Sequence, residues 1–267
     1  MSTIDRALSL LDHFSGTNPE LGLSQLKALS GFDKGTVHRY LKSLTRSGFM
    51  EQDPVSKTYR LGPTLVRLSH IRETTVPISK IVAVHVGTLA DITSELVHAS
   101  VPQIKGMSTI HFKDGSIRGT RVGFDVSEIL PFHATSSGIT MLAFGSPSIL
   151  QSLQDKPLPV FTESTSTDFD TVTGLVETAR KNGYAYSNQT YDTEVSSLAV
   201  PFYDGSKIAA GALAVATPNS RMNTSQREIL ASSAIATSRN ITRDLGGHIP
   251  ESIQTKWALV ESAVQAA

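Results

Sequence analysis

One helix constrains the fold of this chain more than any other segment, because its two sides have opposite chemistry. The stretch GFDKGTVHRYLKSLTRSGF runs from Gly31 to Phe49. Val37, Leu41 and Leu44 recur at i, i+4 and i+7, which places them on one side of an α-helix and directs that side to a core. The opposite side carries the polar and basic residues Lys34, Thr36, His38, Arg39, Lys42, Ser43 and Arg46. A charged side is also typical of a solvated surface helix, so the neighbouring segments must decide its role.

The neighbouring segments predict three helices followed by a hairpin within residues 1–62. A first helical stripe is expected at Ile4, Ala7, Leu8, Leu11 and Phe14. Ser24 is the expected N-cap of a short second helix that ends at Gly31, and Asp33 is the expected N-cap of the third. Two short alternating strands then flank the turn DPVSK. A short helix, a tight turn, a longer basic helix and a hairpin together predict a winged helix-turn-helix.

This arrangement predicts that the third helix binds DNA. In a winged helix-turn-helix that helix enters the major groove, where every base pair exposes a distinct pattern of donors and acceptors. A basic residue at the tip of the hairpin can contact a neighbouring phosphate. The predicted DNA-binding residues are Lys34, Thr36, His38, Arg39, Lys42 and, at the hairpin tip, Lys57. The alternative is a winged helix that is used only for protein contacts.

Composition limits the class of protein further. The 267 residues include no cysteine, which excludes disulfides, thiol catalysis and cysteine-ligated zinc and fits the cytoplasm. No apolar run approaches the roughly 18 to 20 residues that span a bilayer, and the N-terminus lacks the pattern of a signal peptide. Residues 1–75 carry ten Lys and Arg against seven Asp and Glu, and the rest carries fourteen against seventeen. We therefore expect a cytoplasmic protein whose slightly basic head precedes a slightly acidic body.

The chain beyond the hairpin divides into a linker, a larger domain and a tail. Residues 63–77 are interpreted as a helical linker that ends at a proline. Residues 78–247 alternate helical and strand patterns and predict an α/β sensor-like domain. Residues 248–267 are interpreted as a C-terminal tail. The predicted fold class is therefore α+β.

Local patterns place the elements of the larger domain. Strands are expected at ELVHASV, GMSTIHF, SIRGTRVG, YAYSN, VSSLAVPF and IAAGALAVA. A buried helix is expected to begin near His133, and Asp168 is the expected cap of another helix. Ser225 and Glu228 form a predicted capping box that opens a long final helix. The small residues of IAAGALAVA leave room for close packing or for a ligand.

In their order and spacing, these motifs resemble those of the IclR-type bacterial transcriptional regulators up to about Gly247. The N-terminal match includes IDRALSLLDHF, GFDKGTVHRYLKSLTRSGF and YRLGPTLVRL, and the C-terminal match includes VGFDVSEILPFHATSSGITMLAF, RKNGYAY and LAVPFYD. The resemblance implies a winged helix-turn-helix that binds operator DNA, a GAF-like effector-binding domain, and assembly as a homodimer or a dimer of dimers. The implied function is that of a repressor that binds a palindromic operator and changes its DNA affinity when a small organic effector binds.

The resemblance also implies where the effector binds, namely at the junction of a helix start and two strands. The implied effector-binding residues are Ser136, Ser137, Asn188, Gln189, Ser197 and, as a carboxylate partner, Arg121. Exposed amides at a helix start suit a carboxylate or carbonyl oxygen. The alternatives are structural roles, with the first two serines as helix caps and the others as loop, strand or edge residues. Many relatives carry adjacent acids where this chain has SNQT, and the exchange of acid for amide favours an aromatic or acyl monoacid or amide.

An enzyme is the alternative class of protein. His133 with Ser136 or Ser137 suggests the base and nucleophile of a hydrolase, but no G-x-S-x-G elbow surrounds either serine and no acid is evident to orient the imidazole. His98, His111 and His133 lie too far apart in sequence for a metal motif. We therefore expect no catalytic activity, no metal and no cofactor. A sensor that binds only protein partners is the third hypothesis.

Overall fold

The computed structural model describes residues 2–14, 18–75, 77–117, 119–206 and 208–266. The chain forms two compact units, Met1–Pro77 and Ile78–Ala267. Each unit has its own cluster of buried apolar side chains. The N-terminal unit is a winged helix-turn-helix and the C-terminal unit combines a sheet with helices, which confirms the predicted α+β fold class.

Within the described residues, the N-terminal unit consists of helices and one two-stranded hairpin. In chain order its elements are α1 (Thr3–Leu8), a 3-10 turn (Leu11–His13), α2 (Leu23–Ser30), α3 (Lys34–Arg46), β1 (Met50–Gln52), β2 (Tyr59–Leu61) and α4 (Pro63–Thr75). β1 and β2 pair antiparallel, with Glu51 opposite Arg60. Leu21 forms a further bridge to Tyr59, so the segment before α2 is attached to the hairpin.

The apolar side of α3 forms the centre of the N-terminal core. This side buries Val37, Tyr40, Leu41 and Leu44. The side chain of Asp33 accepts a hydrogen bond from the N–H of Thr36 at 3.0 Å, which confirms Asp33 as the N-cap of α3. Gly31 follows α2 with a φ of 71°, a left-handed conformation that glycine adopts without a steric penalty. The tight turn between α2 and α3 therefore depends on Gly31, which ends α2, and on Asp33, which caps α3.

The predicted stripe of the first helix is wrong in part, because the helix is shorter than the periodicity suggests. α1 ends at Leu8 and a 3-10 turn follows it, so the 3.6-residue period is interrupted. Ile4 is 70% exposed, whereas Leu10, which the stripe omits, is fully buried. Part of the apolar surface of α1 is therefore open to solvent in the single chain.

The predicted N-cap of the second helix is also wrong. α2 begins at Leu23 and its N-cap is Gly22, two residues before Ser24. The side-chain oxygen of Gln25 accepts a hydrogen bond from the N–H of Gly22 at 2.8 Å. One of the unsatisfied donors at the helix start is thus satisfied by an amide three residues further on, and no hydroxyl cap is needed.

The C-terminal unit contains a six-stranded antiparallel sheet. Its strands are β3 (Leu96–Gln103), β4 (Gly106–Asp114), β5 (Ile129–Leu130), β6 (Ala185–Asn188), β7 (Val195–Tyr203) and β8 (Ala209–Pro218). Their spatial order is β5-β4-β3-β8-β7-β6. The helices are α5 (Ile78–Thr93), α6 (Ser136–Phe144), α7 (Pro147–Gln151), α8 (Phe169–Asn182), α9 (Thr224–Asp244) and α10 (Glu251–Ala266). α5 packs against α9, and α6 packs against α8 and the sheet.

α6 is the buried helix that the sequence predicts, but it begins at Ser136 rather than near His133. Its N-cap is Thr135, whose hydroxyl accepts a hydrogen bond from the N–H of Gly138 at 3.1 Å. A Cβ atom at Gly138 would lie 2.3 Å from the carbonyl oxygen of Phe132. Glycine at this position therefore allows the first turn of α6 to lie directly against the preceding segment.

Two further local predictions differ from the structure. SIRGTRVG forms no strand within the described residues of the loop between β4 and β5. Ile117 in this loop is 73% exposed, so its apolar side chain does not supply the burial that a central strand requires. The N-cap of α9 is Asn223, which accepts a hydrogen bond from the N–H of Gln226 at 2.8 Å. The predicted capping box of Ser225 and Glu228 therefore lies inside the helix.

Residues 248–267, which the sequence analysis interprets as a tail, instead contribute α10 to the C-terminal unit. α10 packs against α8 and α9. Trp257 is fully buried and its Nε1–H donates a hydrogen bond to the carbonyl oxygen of Gly183 at 2.7 Å. Ile253 is buried beside it. Burial of a tryptophan with a satisfied N–H stabilises a packed helix, which explains why this segment is not a loose tail.

Candidate functional site

The outward side of α3 carries the residues that the sequence predicts to bind DNA. Lys34, His38, Arg39 and Lys42 are exposed and Thr36 is half-buried. Their positions follow from the core, because burial of the apolar side of α3 turns the opposite side towards solvent. We refer to Lys34, Thr36, His38, Arg39 and Lys42 as the α3 surface.

The hairpin between β1 and β2 presents Lys57 at its exposed tip. The Asp53 carboxylate accepts hydrogen bonds from the N–H groups of Val55 and Ser56, each at 2.8 Å. The bonds from Ser56 and Val55 lower the pKa of the Asp53 carboxyl, which keeps the acceptor ionised at neutral pH. Lys57 then adopts a left-handed conformation with a φ of 59°. This turn gives the hairpin a defined basic tip.

The C-terminal unit contains a cavity of about 810 Å³ at the start of α6. Three of the predicted effector-binding residues, Ser136, Ser137 and Ser197, line it. The hydroxyls of Ser136 and Ser197 lie 2.8 Å apart and form a hydrogen bond between α6 and β7. A concave site of this size with a few polar groups is typical of small-molecule binding.

Small side chains on the sheet create the space for the cavity. Ser197 on β7 lies directly opposite Ser187 on β6 and Ala216 on β8. All three line the cavity, because residues that pair directly across neighbouring strands point to the same face. The sequence analysis expects room for a ligand at the small residues of β8, and Ala216 supplies part of it.

Threonine hydroxyls hold the loop after β6 against the cavity. Thr162 donates to the carbonyl oxygen of Gln189 at 2.6 Å and Thr165 donates to that of Thr190 at 2.7 Å. Thr190 in turn donates to the carbonyl oxygen of Ala134, just before α6, at 2.6 Å. These bonds connect three segments that are distant in sequence and so define one wall of the cavity.

Aromatic side chains from separate loops form the other walls. The Phe124 ring lies 5.0 Å from the His98 ring, centroid to centroid, and Phe161 lies 4.9 Å from Tyr191. All four side chains line the cavity. The Tyr191 hydroxyl donates to the Glu128 carboxylate at 2.9 Å. Burial, together with this hydrogen bond, raises the pKa of Tyr191 to about 12, so the phenol stays protonated.

These four residues are missing from the predicted site, and His98 appears among the predictions only as a rejected metal ligand. His98 is 5% exposed, and burial lowers its pKa to about 4. Its imidazole is therefore neutral at neutral pH. The alternation along β3 places His98 on the same sheet face as Leu96, which pairs with Ala216. Strand pairing, which is not visible in the sequence, would have been needed to find it.

Three predicted effector-binding residues do not line the cavity. Asn188 alternates with Ser187 on β6 and its side-chain oxygen accepts a hydrogen bond from the Ser196 hydroxyl at 2.7 Å. The Gln189 side chain turns back to the carbonyl oxygen of Thr193. Arg121, whose side chain is 60% exposed, lies 3.8 Å from a carboxylate oxygen of Asp114. The amide side chains of Asn188 and Gln189 thus have partners outside the cavity, and Arg121 is largely exposed, so the contact of these residues with an effector stays a prediction.

Both units match models of a single protein family. The IclR helix-turn-helix domain matches residues 3–54, and the C-terminal domain of bacterial transcriptional regulators of the IclR type matches residues 73–243. This chain belongs to the IclR family. The resemblance of its motifs to that family is thereby confirmed.

Individual IclR-family proteins match along nearly the whole chain. The HTH-type transcriptional regulator XynR of Escherichia coli K12 is 27% identical over 247 residues, which are 90% of this chain and 96% of XynR. The glycerol operon regulatory protein of Streptomyces coelicolor is 26% identical over 250 residues, 92% of this chain and 97% of that protein. The crystal structure of an IclR transcriptional regulator from Silicibacter sp. TM1040 has 35% identity and a TM-score of 0.84, and the match covers 94% of this chain and 99% of that chain.

Among the described residues of this IclR-family chain, His133 and the two serines of the considered hydrolase form hydrogen bonds to other partners. The Nε2 atom of His133 lies 2.9 Å from the carbonyl oxygen of Pro159. Ser136 bonds to Ser197, and Ser137 lies 3.3 Å from the Thr135 hydroxyl. None of these hydrogen bonds joins either serine to His133. In the described ranges, no three metal-binding side chains cluster and no helix is long and apolar enough to cross a bilayer.

Proposed function

We propose that this IclR-family chain is a ligand-responsive repressor that acts in the cytoplasm on a palindromic operator. The observation that carries the proposal is the α3 surface, where the buried apolar side of one helix leaves five polar and basic side chains facing outward. A winged helix-turn-helix inserts such a helix into the major groove. Its effector occupies the cavity of the C-terminal unit.

The α3 surface and the hairpin tip have different roles in this proposal. Arg39 and Lys42 are exposed on α3 and reach base edges, where Arg and Lys pair with guanine acceptors. Lys34 and Thr36 lie at the start of the helix and orient it on the backbone. Lys57 at the hairpin tip contacts a phosphate, which adds affinity without sequence preference.

A palindromic operator requires at least two copies of the chain, because one winged helix reads only a half-site. We propose that α1 and α4 form the contact between copies. Ile4 and Leu8 of α1 are exposed, as are Val66 and Leu68 of α4. Burial of such apolar side chains against a second copy removes them from water. We further propose that the C-terminal units pair these dimers into a dimer of dimers.

The effector regulates DNA binding only through its different affinities for the DNA-bound and free arrangements of the protein. Such couplings are typically about 1 to 3 kcal/mol. The sequence analysis predicts an aromatic or acyl monoacid or amide. The aromatic lining formed by Phe124, Phe161 and Tyr191 supports a ring in the effector. Arg121, the predicted carboxylate partner, does not line the cavity, so we favour the amide over the acid.

Selection of DNA from a random duplex library tests the proposal. The expected product is an inverted repeat whose half-sites lie a whole number of helical turns apart, bound by a dimer or larger assembly in light scattering. Affinity should fall steeply with salt because phosphate contacts release counterions. A library without any enriched sequence, together with salt-independent binding, would instead support the protein-binding sensor.

A further inference from the structure

One nitrogen of the His98 ring in the cavity wall lacks a hydrogen-bond partner among the described residues. The Nδ1 atom of His98 is buried and has no partner among the described residues. Its pKa of about 4 keeps the ring neutral, and a neutral imidazole has one nitrogen that donates and one that accepts. Buried polar groups are nearly always paired in folded proteins. Nδ1 itself is closed to solvent, but the ring lines the cavity, so a rotation of the imidazole would bring this nitrogen to a bound molecule.

The other polar groups of the cavity suit a hydroxyl or carbonyl group. Ser136 and Ser197 already bond to each other at 2.8 Å, and either oxygen can accept a further hydrogen bond. Thr135 caps α6 through the N–H of Gly138, and its carbonyl accepts from the N–H of Ile139. The N–H groups of Ser136 and Ser137 precede these in the first turn, where N–H groups have no partner within the helix and can donate to a ligand oxygen.

The charged groups of the cavity argue against an anion. Among the described lining residues there are three carboxylates, of Asp125, Glu128 and Asp192, and neither Lys nor Arg. The three acidic residues are exposed and their carboxylates accept hydrogen bonds from Ser127, Tyr191 and Glu194. The start of α6 by itself favours negative charge, but the described lining residues offer a ligand carboxylate no cationic partner.

Aromatic side chains supply surfaces on which a flat ring can stack. Phe124 lies against His98, and Phe161 lies against Tyr191 at 4.9 Å. Neighbouring strands of the sheet contribute the small side chains of Ser187, Ser197 and Ala216 to the cavity, and these leave space for a ligand. A ring inserted between the sheet and these aromatic side chains can bury most of its apolar surface, which is how small-molecule sites gain affinity.

We propose that the cavity binds an uncharged ring compound that carries hydroxyl or carbonyl groups, and that His98 forms a hydrogen bond to one of them. This inference rests on the proposed function, since it names the class of effector that the same cavity takes. His98 is a ligand-binding residue in this account. The ring is either aromatic or a sugar, which share an apolar face that packs against aromatic side chains and hydroxyl groups that form hydrogen bonds.

Calorimetry at neutral pH with matched pairs of compounds tests the absence of charge. One set of pairs is aromatic, such as 4-hydroxybenzamide with 4-hydroxybenzoate. The other set consists of sugars, such as methyl glucoside with its carboxylate analogue methyl glucuronide. The neutral member of at least one pair should bind about tenfold or more tightly than its acid. Equal or tighter binding of the acids, or no binding of any neutral member, would overturn the inference.

Two variants test the role of His98 against a matched control. His98→Phe keeps a flat ring and removes both nitrogens, so it should weaken the best neutral ligand by about tenfold or more. His98→Asn keeps a donor and an acceptor and should retain more affinity than His98→Phe. His111→Phe changes a histidine on β4 that does not line the cavity, and it should leave the affinity unchanged. Unchanged affinity in His98→Phe would contradict the role of His98.

A measurement on the unmodified protein covers the case in which His98→Phe does not fold. The ligand should shift the imidazole nitrogen NMR signals of His98 and leave those of His111 in place. A ligand that binds without moving the His98 signals would count against the inference. Operator preference of the ligand-free protein is measured in parallel. If the ligand-free protein shows no operator preference, the proposed function is refuted. If it prefers the operator but binds the acids tightly, only the ligand class is refuted.

Discussion

The two units of the chain direct their polar side chains in opposite ways. In the N-terminal unit, Arg39 and Lys42 face solvent while the core behind them is apolar. In the C-terminal unit, His98, Ser136 and Ser197 line a partly enclosed cavity next to the core. The first unit therefore offers its chemistry to a large partner from outside, and the second offers it to a molecule small enough to be enclosed.

This difference determines how each unit couples function to stability. The exposed cations of α3 keep their water shell in the free protein, so replacing them should leave folding nearly unchanged. The cavity groups are buried, and a bound ligand can satisfy them only in the folded C-terminal unit. A ligand should thus raise the stability of that unit by mass action, while DNA-contact variants should affect binding alone.

The largest expected effect is in the C-terminal unit, for Trp257→Ala. Removal of this fully buried indole and its hydrogen bond to Gly183 should cost about 3 to 5 kcal/mol of unfolding free energy. Differential scanning calorimetry measures it. Leu259→Ala on the same helix is the control, because Leu259 is 69% exposed and should change stability by less than about 0.5 kcal/mol. Equal effects of the two variants would mean that α10 does not contribute to the fold.

The corresponding variant in the N-terminal unit is Leu41→Ala. Leu41 is fully buried in the α3 core, so its truncation should cost about 2 to 5 kcal/mol. The chain has a single tryptophan, which lies in the C-terminal unit, so fluorescence reports that unit and circular dichroism reports both. The dichroism should show an earlier transition while the fluorescence midpoint stays in place. Lys42→Ala is the neighbouring control, and a shift of the fluorescence midpoint in Leu41→Ala would contradict separate cores.

The α3 surface and the cavity also differ in how far the sequence predicts them. The side of α3 that faces outward depends on residues within one helix, so the period of Val37, Leu41 and Leu44 is sufficient to predict it. The cavity instead combines α6, the strands β3 and β5 to β8, and four loops, and its lining is set by long-range strand pairing. Ser197 was predicted only through the family resemblance, and the alternation that separates Ser187 from Asn188 depends on the sheet register.

The next effect concerns pH and the buried imidazole of the C-terminal unit. The pKa of His98 is about 4 in the folded chain and about 6.5 in an unfolded one. Both states are neutral above pH 6.5, and below it the unfolded state binds the proton first, so stability falls as pH decreases towards 4. The loss at about pH 5 should be about 2 kcal/mol. Denaturant titrations at several pH values should show this loss in the parent and not in His98→Phe, and identical pH profiles would refute it.

The smallest expected effect is that of Lys57→Ala at the hairpin tip. Loss of one phosphate contact should weaken binding to all DNA sequences about equally and reduce the slope of log affinity against log salt by about one. Folding should not change, because Lys57 is exposed. Fluorescence anisotropy over a range of salt concentrations measures the slope. A change of sequence preference in Lys57→Ala would mean that the tip contacts bases.

The most direct test of the central claim, that the outward side of α3 reads base sequence, is a comparison of Arg39→Ala with Lys105→Ala. Both residues are exposed and both variants remove one positive charge, but Lys105 lies in the turn between β3 and β4 of the other unit. Affinity is measured for the selected operator and for a scrambled duplex at one salt concentration. We predict that Arg39→Ala loses about 1 to 3 kcal/mol of preference for the operator and that Lys105→Ala loses none. An unchanged operator preference in Arg39→Ala would contradict the account.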